Sequence, residues 1–230
     1  MKLAIIGYGK MGRLIEQLAP EYGFTVHARV DIGDDFAKAA GADAAIEFTT
    51  PEAAFGNIEK LSALKLPVVV GTTGWLGQMD RVRSLVDKNG TALIWSPNFS
   101  VGVNVFFRLV REAARLLADE PEYGAWAWEI HHDTKKDAPS GTMLKLVEEM
   151  KTAGYARPID VSSNRAGRHP GTHDIGFDSA ADTITLRHAA RSREGFARGA
   201  LKAAQWLVEN QGMPGKQGVF EFSDVLFTKR

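Results

Sequence analysis

The stretch Leu3-Ala4-Ile5-Ile6-Gly7-Tyr8-Gly9-Lys10-Met11-Gly12 decides the fold of the first half of the chain. Its four apolar residues predict a buried strand, and the turn G-x-G-x-x-G leads directly into helical periodicity over Met11–Leu18. In such a unit the glycines allow a tight turn, a close approach of the backbone to a pyrophosphate, and close packing of helix on strand. Because glycine-rich turns also occur without any ligand, the motif needs support from its surroundings.

The following residues continue the alternation of strand and helix. Predicted strands cover Thr25–Val30, Ala44–Phe48, Val68–Val70 and Ala92–Trp95, and predicted helices cover Glu52–Leu64 and Leu76–Lys88. Thr50-Pro51 is typical of a helix start, and Asn89-Gly90 of a helix end. Apolar strands separated by helices predict a parallel sheet covered on both faces, which is a Rossmann-like, doubly wound α/β domain over residues 1–102.

After Pro97 the pattern changes to that of a smaller α+β domain with a mixed or antiparallel sheet. Helices are predicted at Val103–Leu117 and Thr142–Ala153, and strands with period-two alternation at Ala125–His131, Ile159–Ser163, Thr172–Asp178 and Thr183–His188. This second domain covers residues 103–194. A last helix at Gly195–Val208 and a strand at Gly218–Phe222 are expected to complete the first domain, over about residues 195–230.

An acidic residue stands where a dinucleotide-binding domain is expected to have one. Asp31 directly follows the second strand, about 20 residues after the last glycine of the turn, where a carboxylate accepts hydrogen bonds from a ribose 2′-hydroxyl. A carboxylate there repels a 2′-phosphate, so NADH is favoured, while Lys10, Arg13 and Arg29 keep NADPH open as a second cofactor. The alternative interpretation of Asp31 is a solvated acidic residue in a turn.

Two further loops follow predicted strands at the edge where ligands bind in open α/β sheets. They are Gly71-Thr72-Thr73-Gly74 and Ser96-Pro97-Asn98-Phe99. Their small and hydroxyl-bearing side chains predict contacts with a nicotinamide riboside. The alternative is that both loops are plain strand-to-helix turns.

The composition excludes several classes of function. The chain of 230 residues has 28 basic and 28 acidic residues, so it lacks the basic excess that binding to a nucleic-acid backbone requires. The absence of cysteine excludes disulfides, thiolate metal ligands and a cysteine nucleophile. No run approaches the roughly 18 apolar residues of a membrane span, and the apolar run after Met1 is too short for a signal peptide. We therefore expect a cytoplasmic protein without nucleic-acid or membrane partners.

The segment Glu129-Ile130-His131-His132-Asp133-Thr134-Lys135-Lys136-Asp137-Ala138-Pro139-Ser140-Gly141-Thr142 is the richest in reactive side chains. Adjacent strand residues point to opposite faces, so His131 and His132 are not placed to chelate one metal, and no metal site is predicted. A histidine and a lysine together supply a proton donor near neutral pH and a fixed positive charge. The helix start at Ser140–Thr142 offers N–H groups and a hydroxyl to a carboxylate. The segment predicts a pocket for a small, doubly anionic substrate that is protonated during reduction; the alternative is a solvated loop beside a helix N-cap.

The pattern Glu-x-His-His-x-x-Lys-x-Asp-x-Pro-Ser-Gly-Thr closely resembles the signature of the dihydrodipicolinate reductase family, also called 4-hydroxy-tetrahydrodipicolinate reductases. The resemblance extends to the glycine turn, to Gly71–Gly74 and to Asn98-Phe99-Ser100-Val101-Gly102-Val103-Asn104, and so covers most of the chain. It implies a reductase of the diaminopimelate and lysine pathway. Such an enzyme transfers a hydride from NAD(P)H to C4 of the cyclic dicarboxylate 4-hydroxy-tetrahydrodipicolinate, with loss of water, and forms tetrahydrodipicolinate.

The resemblance also implies roles for single residues. His131 corresponds to the catalytic acid/base, His132 to a substrate-contacting histidine, and Lys135 to the lysine that donates a proton and contacts a carboxylate. Ser140, Gly141 and Thr142 correspond to the carboxylate-binding turn. The implied cofactor-binding residues are Gly7, Tyr8, Gly9, Lys10, Met11, Gly12, Asp31, Gly71, Thr72, Thr73, Ser96, Pro97, Asn98 and Phe99. Family members are homotetramers joined through the sheets of the second domain.

Departures from the family pattern concern the cofactor and leave two other functions open. The glycine turn is one residue shorter than in many members, and Asp31 lacks the arginine that often follows it. The alternatives are another NAD-dependent dehydrogenase acting on an amino acid or hydroxy acid, and a non-catalytic NADH sensor. His131 and His132 followed by Lys135 argue against the sensor, because a protein that only binds NADH needs no proton donor there.

Overall fold

The computed structural model describes residues 1–211, 213 and 216–227 and divides into two compact units. Met1–Ser100 and the C-terminal part from Phe196 form the first unit, and Val101–Gly195 form the second. Each unit has its own sheet and its own hydrophobic core. Among the described residues, no helix combines the length and the hydropathy needed to cross a bilayer.

The first unit is built on a six-stranded parallel sheet. Its strands are β1 (Lys2–Ile6), β2 (Thr25–Val30), β3 (Ala44–Glu47), β4 (Val68–Val70), β5 (Ala92–Trp95) and β10 (Gly218–Glu221). The helices are α1 (Lys10–Leu18), α2 (Pro51–Ala63), α3 (Met79–Asn89), α6 (Glu194–Glu209) and α7 (Phe222–Phe227). The strand order is β10-β5-β4-β3-β1-β2, so the order reverses at β1, and ligands bind at such a switch point.

Helices cover both faces of this sheet, because successive strand residues point to opposite faces. Leu3 and Ile5 belong to a core cluster with residues of α1 and α6. Ala4 and Ile6 belong to a second cluster with residues of α2 and α3. The prediction of a doubly wound α/β domain is confirmed.

The second unit carries a four-stranded mixed sheet. Its strands are β6 (Gly124–His131), β7 (Ile159–Arg165), β8 (Thr172–Asp178) and β9 (Thr183–Ala189), in the order β7-β6-β8-β9. β6 pairs with β7 in parallel, and the other two pairs are antiparallel, which confirms the predicted mixed sheet. The helices α4 (Val101–Leu116) and α5 (Gly141–Thr152) contribute Phe106, Val110, Leu146 and Met150 to the core on one face of the sheet.

The predicted period-two alternation is wrong for β8. His173 through Phe177 are all buried, although Asp174 and Gly176 lie on the face opposite the helices. Arg187 of β9 covers Asp174 with a bidentate ion pair, and the indole of Trp126 occupies the space where Gly176 lacks a side chain. Cross-strand side chains therefore bury residues that alternation assigns to solvent.

The local structure at several element ends also differs from the prediction. Leu76–Gln78 forms a 3-10 turn before α3 instead of its first helical turn. β10 ends at Glu221, whose N–H donates to Asp224 Oδ2 at 2.9 Å, and the chain turns into the short helix α7. Thr50 occupies the N-cap position of α2, but its side chain makes no capping hydrogen bond.

Candidate functional site

The glycine turn between β1 and α1 has the backbone geometry that its motif requires. Gly7 has φ +88°, and a Cβ atom there would lie 2.1 Å from the carbonyl oxygen of Phe48. A Cβ atom on Gly12 would lie 2.3 Å from the carbonyl oxygen of Gly7, whereas Gly9 has open space at that position. Gly7 and Gly12 therefore permit close packing, and Gly9 leaves its backbone accessible to a ligand.

A cavity of about 560 Å³ lies at the carboxyl ends of β1 and β2. It is lined by the glycine turn, by Val30 through Asp34, and by residues at the start of α2. Asp31 is exposed there, its carboxylate accepts from the N–H of Ile32 at 2.9 Å, and its own N–H donates to Asp34 Oδ2 at 2.9 Å. The carboxylate of Asp31 thus stands at the position expected for a ribose, and the open Gly9 backbone fits a pyrophosphate. The carboxylate of Asp34 is paired with Lys38.

Lys60 is the basic residue in the described lining of this cavity, and two arginines, Arg13 and Arg29, lie close to the Tyr8 ring of the glycine turn. Arg29 forms a two-pronged ion pair with Glu16, and the hydroxyl of Tyr8 donates to the same carboxylate. The guanidinium carbons of Arg29 and Arg13 lie 5.6 and 5.8 Å from the centre of the Tyr8 ring. The hydrogen bond from Arg29 lowers the pKa of Glu16. The charge of Arg29 is therefore already balanced within the protein.

A second cavity, of about 440 Å³, brings the next predicted loop beside the glycine turn. Gly9, Lys10, Met11, Gly71, Thr72 and Thr73 are among its lining residues. Thr72 Oγ1 accepts from the N–H of Thr49 at 2.7 Å, so the loops after β3 and β4 are joined. A Cβ atom on Gly71 would lie 2.1 Å from the Phe48 ring, which explains why glycine stands there.

Glu47 is a buried carboxylate at this edge of the sheet that the sequence analysis missed. It is fully buried, and its Oε1 accepts from the hydroxyl of Thr49 and from the amide of Asn57 at 3.2 Å. Burial raises the pKa of Glu47. An acidic residue at the end of an otherwise apolar strand, two residues before a threonine, is the signal that could have revealed it.

The loop after β5 is partly structural. The hydroxyl of Ser96, a buried residue, donates to the carbonyl of Asn98 at 2.8 Å. The Phe99 ring is only 2% exposed and lies in the core, 5.0 Å between centroids from the ring of Phe222. Pro97 and Asn98 are half-buried. Cofactor contacts from this loop stay a prediction, and the side chain of Phe99 is committed to the core.

In the second unit, a buried carboxylate lies at the centre of the predicted His/Lys segment. Glu129 is fully buried, with an exposed fraction of 0%. Its Oε1 accepts from the N–H of Ser140 at 2.9 Å, from the Ser163 hydroxyl at 2.9 Å and from Arg165 Nη2 at 2.8 Å. Its Oε2 accepts from the Ser140 hydroxyl. Burial alone raises the pKa of Glu129, but the hydrogen bonds from His173, Ser140 and Arg165 outweigh it and hold the pKa well below the usual value.

His131 lies beside this carboxylate and is 7% exposed. Its Nδ1 is 3.6 Å from Glu129 Oε2, and its ring meets that of His173 edge-on at a centroid distance of 5.0 Å. Burial lowers the pKa of His131 to about 4; Glu129 opposes this shift, whereas His173, Lys135 and Arg165 add to it. His131 is therefore neutral at pH 7 in this structure.

The other predicted residues lie on the loop after β6 and at the start of α5. Lys135 Nζ bonds both carboxylate oxygens of Asp137, at 2.7 and 2.9 Å, and His132 Nδ1 is 2.7 Å from the Thr134 hydroxyl. Ser140 is the N-cap of α5, and its hydroxyl accepts from the N–H of Met143 at 3.2 Å. Because that hydroxyl also binds Glu129, Ser140 serves the structure of the turn, and two more of the predicted residues follow it in the first turn of α5. Those are Gly141, which is exposed, and Thr142, which is half-buried.

Glu129, His131 and His173 also have the spacing of a metal site, since one ligand atom from each lies within 4.8 Å of the others. The carboxylate, however, already accepts hydrogen bonds from two serines and from Arg165. The guanidinium at 2.8 Å holds a permanent positive charge where a metal ion would bind. We therefore interpret the cluster as a hydrogen-bond network, which His173 and Arg165 join from neighbouring strands.

The first unit is Rossmann-like and has a glycine turn of the dinucleotide-binding type, and the second has a mixed sheet and a His/Lys segment. This combination defines the class of two-domain oxidoreductases. The chain belongs to the dihydrodipicolinate reductase family. Residues 1–99 match the family's N-terminal domain and residues 102–226 its C-terminal domain.

Individual relatives agree with the family assignment over nearly the whole chain. The chain is 36% identical to the 4-hydroxy-tetrahydrodipicolinate reductase of Christiangramia forsetii, with 98% of each chain covered. It is 35% identical to that of Archaeoglobus fulgidus, over 98% of this chain and 100% of the relative. The solved structure of dipicolinate-bound dihydrodipicolinate reductase from Paenisporosarcina sp. TG-14 has the same fold, with a TM-score of 0.75 at 21% identity over 96% of this chain and 97% of that one.

Proposed function

We propose that this protein reduces 4-hydroxy-tetrahydrodipicolinate to tetrahydrodipicolinate with a nicotinamide cofactor, as a step of diaminopimelate and lysine biosynthesis. The observation that carries the proposal is the placement of His131 against the buried Glu129, whose carboxylate also binds the first turn of α5. Family membership of both halves supports it. The relative from Paenisporosarcina was solved with dipicolinate, which supports a small dicarboxylate as the substrate class.

The first turn of α5 and the loop before it supply the groups that bind an anionic substrate. The N–H groups of Gly141 and Thr142 lie at a helix N-terminus, where the helix dipole favours a carboxylate. The half-buried Lys135 contributes a positive charge, and His132 a ring nitrogen for a hydrogen bond. An arriving carboxylate competes with Asp137 for the charge of Lys135.

Proton transfer is assigned to His131 and Lys135. The neutral ring of His131 accepts a proton readily, and a bound dianion raises its pKa because opposite charges favour the protonated form. Lys135 then stabilises the negative charge that develops on the substrate and provides a second proton source. Both residues lie within the same five-residue stretch at the end of β6, which supports their acting on the same bound molecule.

The first unit would hold the nicotinamide cofactor, which supplies a hydride when bound. The turn Gly7–Gly12 would bind its pyrophosphate, Asp31 its adenosine ribose, and the loops Gly71–Thr73 and Ser96–Phe99 its nicotinamide half. NADH is the favoured form, because the carboxylate of Asp31 repels a 2′-phosphate, whereas Asp34 is paired with Lys38 and Arg29 with Glu16. NADPH is a slower second substrate.

Initial rates with enzymatically generated substrate test the proposal. We expect NADH oxidation that depends on the cyclic imine, and a loss of about a hundredfold or more in kcat/KM for His131→Ala and Lys135→Ala separately. Lys136→Ala is the matched control, since it removes a neighbouring lysine that the site does not use. Rates of both site variants within a few-fold of the parent would show that the assigned roles are wrong. Turnover of a hydroxy acid instead of the imine would favour the alternative dehydrogenase.

We further propose a homotetramer joined through the face of the second sheet opposite α4 and α5. That face carries Trp126 and Trp128, both half-buried within one chain, and Trp128 Nε1 donates to Asn164 Oδ1 at 2.6 Å. Aromatic residues with one polar atom are typical of protein interfaces. Light scattering should give the mass of four chains, and Trp126→Glu should give smaller species. A monomer at micromolar concentration would contradict the proposal.

The cytoplasmic location stays a prediction from the sequence.

A further inference from the structure

The buried carboxylate of Glu129 lies beside both parts of the candidate site in the second unit, namely His131 and the start of α5. Glu129 on β6 pairs across the sheet with Ser163 of β7 and with His173 of β8. It also binds Ser140 at the start of α5 through the backbone N–H and through the hydroxyl. Two residues further along β6, on the same face, lies His131, with Nδ1 at 3.6 Å from the carboxylate.

We propose that Glu129 is a positioning residue that keeps His131 protonated on Nδ1, so that Nε2 is the nitrogen that exchanges protons with the substrate, while the same carboxylate fixes the start of α5. The involvement of a substrate rests on the proposed function, whereas the position of the proton on the ring does not. A carboxylate that sets the tautomer and orientation of a working histidine has precedent in other enzymes.

The hydrogen bonds of the network leave one consistent arrangement of protons. A carboxylate only accepts, so the Ser140 hydroxyl must donate to Glu129 Oε2. That hydroxyl then accepts from the N–H of Met143 and from His173 Nε2, which lies 3.2 Å away. His173 is therefore protonated on Nε2, which is also the nitrogen that faces Glu129 Oε2 at 3.4 Å.

The charges around His131 favour a proton on the ring nitrogen that faces Glu129. Glu129 on its own strand supplies the negative charge, and it favours a proton on the nitrogen that faces it, which is Nδ1. Arg165 from β7, His173 from β8 and Lys135 from the loop oppose additional positive charge on the ring. In the neutral ring the single proton therefore occupies Nδ1, and Nε2 is left with a lone pair.

The unmodified protein gives the first test. Nitrogen-15 histidine spectra of the full chain at pH 7 distinguish protonated from unprotonated ring nitrogens, and comparison with His131→Gln assigns the signals of His131. We expect Nδ1 to carry the proton. A ring protonated on Nε2 would overturn the proposal without any variant of Glu129 and without any substrate.

Glu129→Gln is the sharper test because the variant preserves the shape of the side chain. Its amide oxygen takes the position of Oε1 and keeps the bonds from the Ser140 N–H, from Ser163 and from Arg165. The NH₂ group takes the position of Oε2, where it faces His131 Nδ1 and no longer accepts from the Ser140 hydroxyl. An NH₂ group donates, so the proton of His131 should move to Nε2 and kcat should fall about a hundredfold, with KM within a few-fold of the parent. A ring that stays protonated on Nδ1 would refute the proposed role of Glu129.

Glu149→Gln is the matched control. It removes a carboxylate of α5 that pairs with Lys145 at 3.1 Å and with Arg111 at 3.4 Å, in the same unit, and it should leave the His131 spectrum unchanged. A similar change of tautomer in both variants would indicate general loosening of the unit and would refute a specific role. If the unmodified protein shows the expected tautomer but reduces no imine, the proposed function fails and the positioning role stands.

Discussion

Gly171 lies directly against His131: a Cβ atom added to Gly171 would be 2.9 Å from Nε2 of His131 and 3.1 Å from its Cδ2. Gly171 precedes β8, beside the end of β6, and has φ +140°, a conformation that side chains rarely adopt. The imidazole of His131 therefore packs directly against the backbone of Gly171. Glu129 Oε2 lies 3.6 Å from Nδ1 of the ring, and a side chain at Gly171 would collide with the ring at Nε2 and Cδ2.

Gly171→Ala should consequently displace the ring of His131. We expect kcat/KM for imine reduction to fall tenfold or more, while NADH binding, followed by its fluorescence, stays within twofold because the first unit is unchanged. Gly167→Ala is the matched control: Gly167 also has a positive φ, +56°, but a Cβ atom there meets nothing within 4 Å. An equal loss of activity in both variants would show that backbone strain, and not the contact with His131, is responsible.

The sequence predicted those parts of the site that lie close together along the chain. The glycine turn, Asp31 and the segment from Glu129 to Thr142 are each read from local spacing, because the residues share one turn, one strand end or one helix start. Gly171, His173 and Arg165 were missed, although they surround His131 and Glu129. They arrive from other strands, and only the pairing of β6 with β7 and β8 brings them there. Alternating hydrophobicity does not determine that register when the strand partners are unknown.

The lowered pKa of His131 predicts acid sensitivity of the folded state. Below the usual histidine pKa of 6.5 the unfolded chain takes up a proton that the folded protein binds only near pH 4, so the free energy of unfolding falls as the pH falls through this window. The contribution of His131 is about 3 kcal/mol. Urea unfolding at pH 7 and pH 4 should therefore show a smaller loss for His131→Gln than for the parent.

The exposed His169→Gln provides the control for that experiment, because it removes a histidine of the same unit that lies outside the core. It should lose as much stability between pH 7 and pH 4 as the parent. A parent and a His131→Gln variant with identical pH dependence would contradict a buried neutral imidazole.

The left-handed backbone conformation of Lys65 predicts that glycine at this position will stabilise the protein. It follows the C-terminus of α2 with φ +56°, and the N–H of Leu66 bonds back to the carbonyl of Leu61 at 3.0 Å, which is a helix end that favours glycine. Lys65→Gly should raise the free energy of unfolding by about 0.5–1 kcal/mol. Lys65→Ala keeps the Cβ atom and should leave stability unchanged; an equal gain in both variants would attribute the effect to the lost charge.

The position of the Asp31 carboxylate predicts a preference for NADH over NADPH. Its carboxylate lines the 560 Å³ cavity at the end of β2, so a 2′-phosphate bound there meets its negative charge. Arg29 is neutralised by Glu16, and Lys60, which also lines the cavity, lies over the ring of Phe36. Asp31→Ser should raise the ratio of kcat/KM for NADPH to that for NADH about tenfold, which corresponds to about 1.4 kcal/mol. Asp80→Ser, an exposed acid on α3, should leave the ratio unchanged. If Asp31→Ser leaves it unchanged as well, the ribose does not bind at the end of β2.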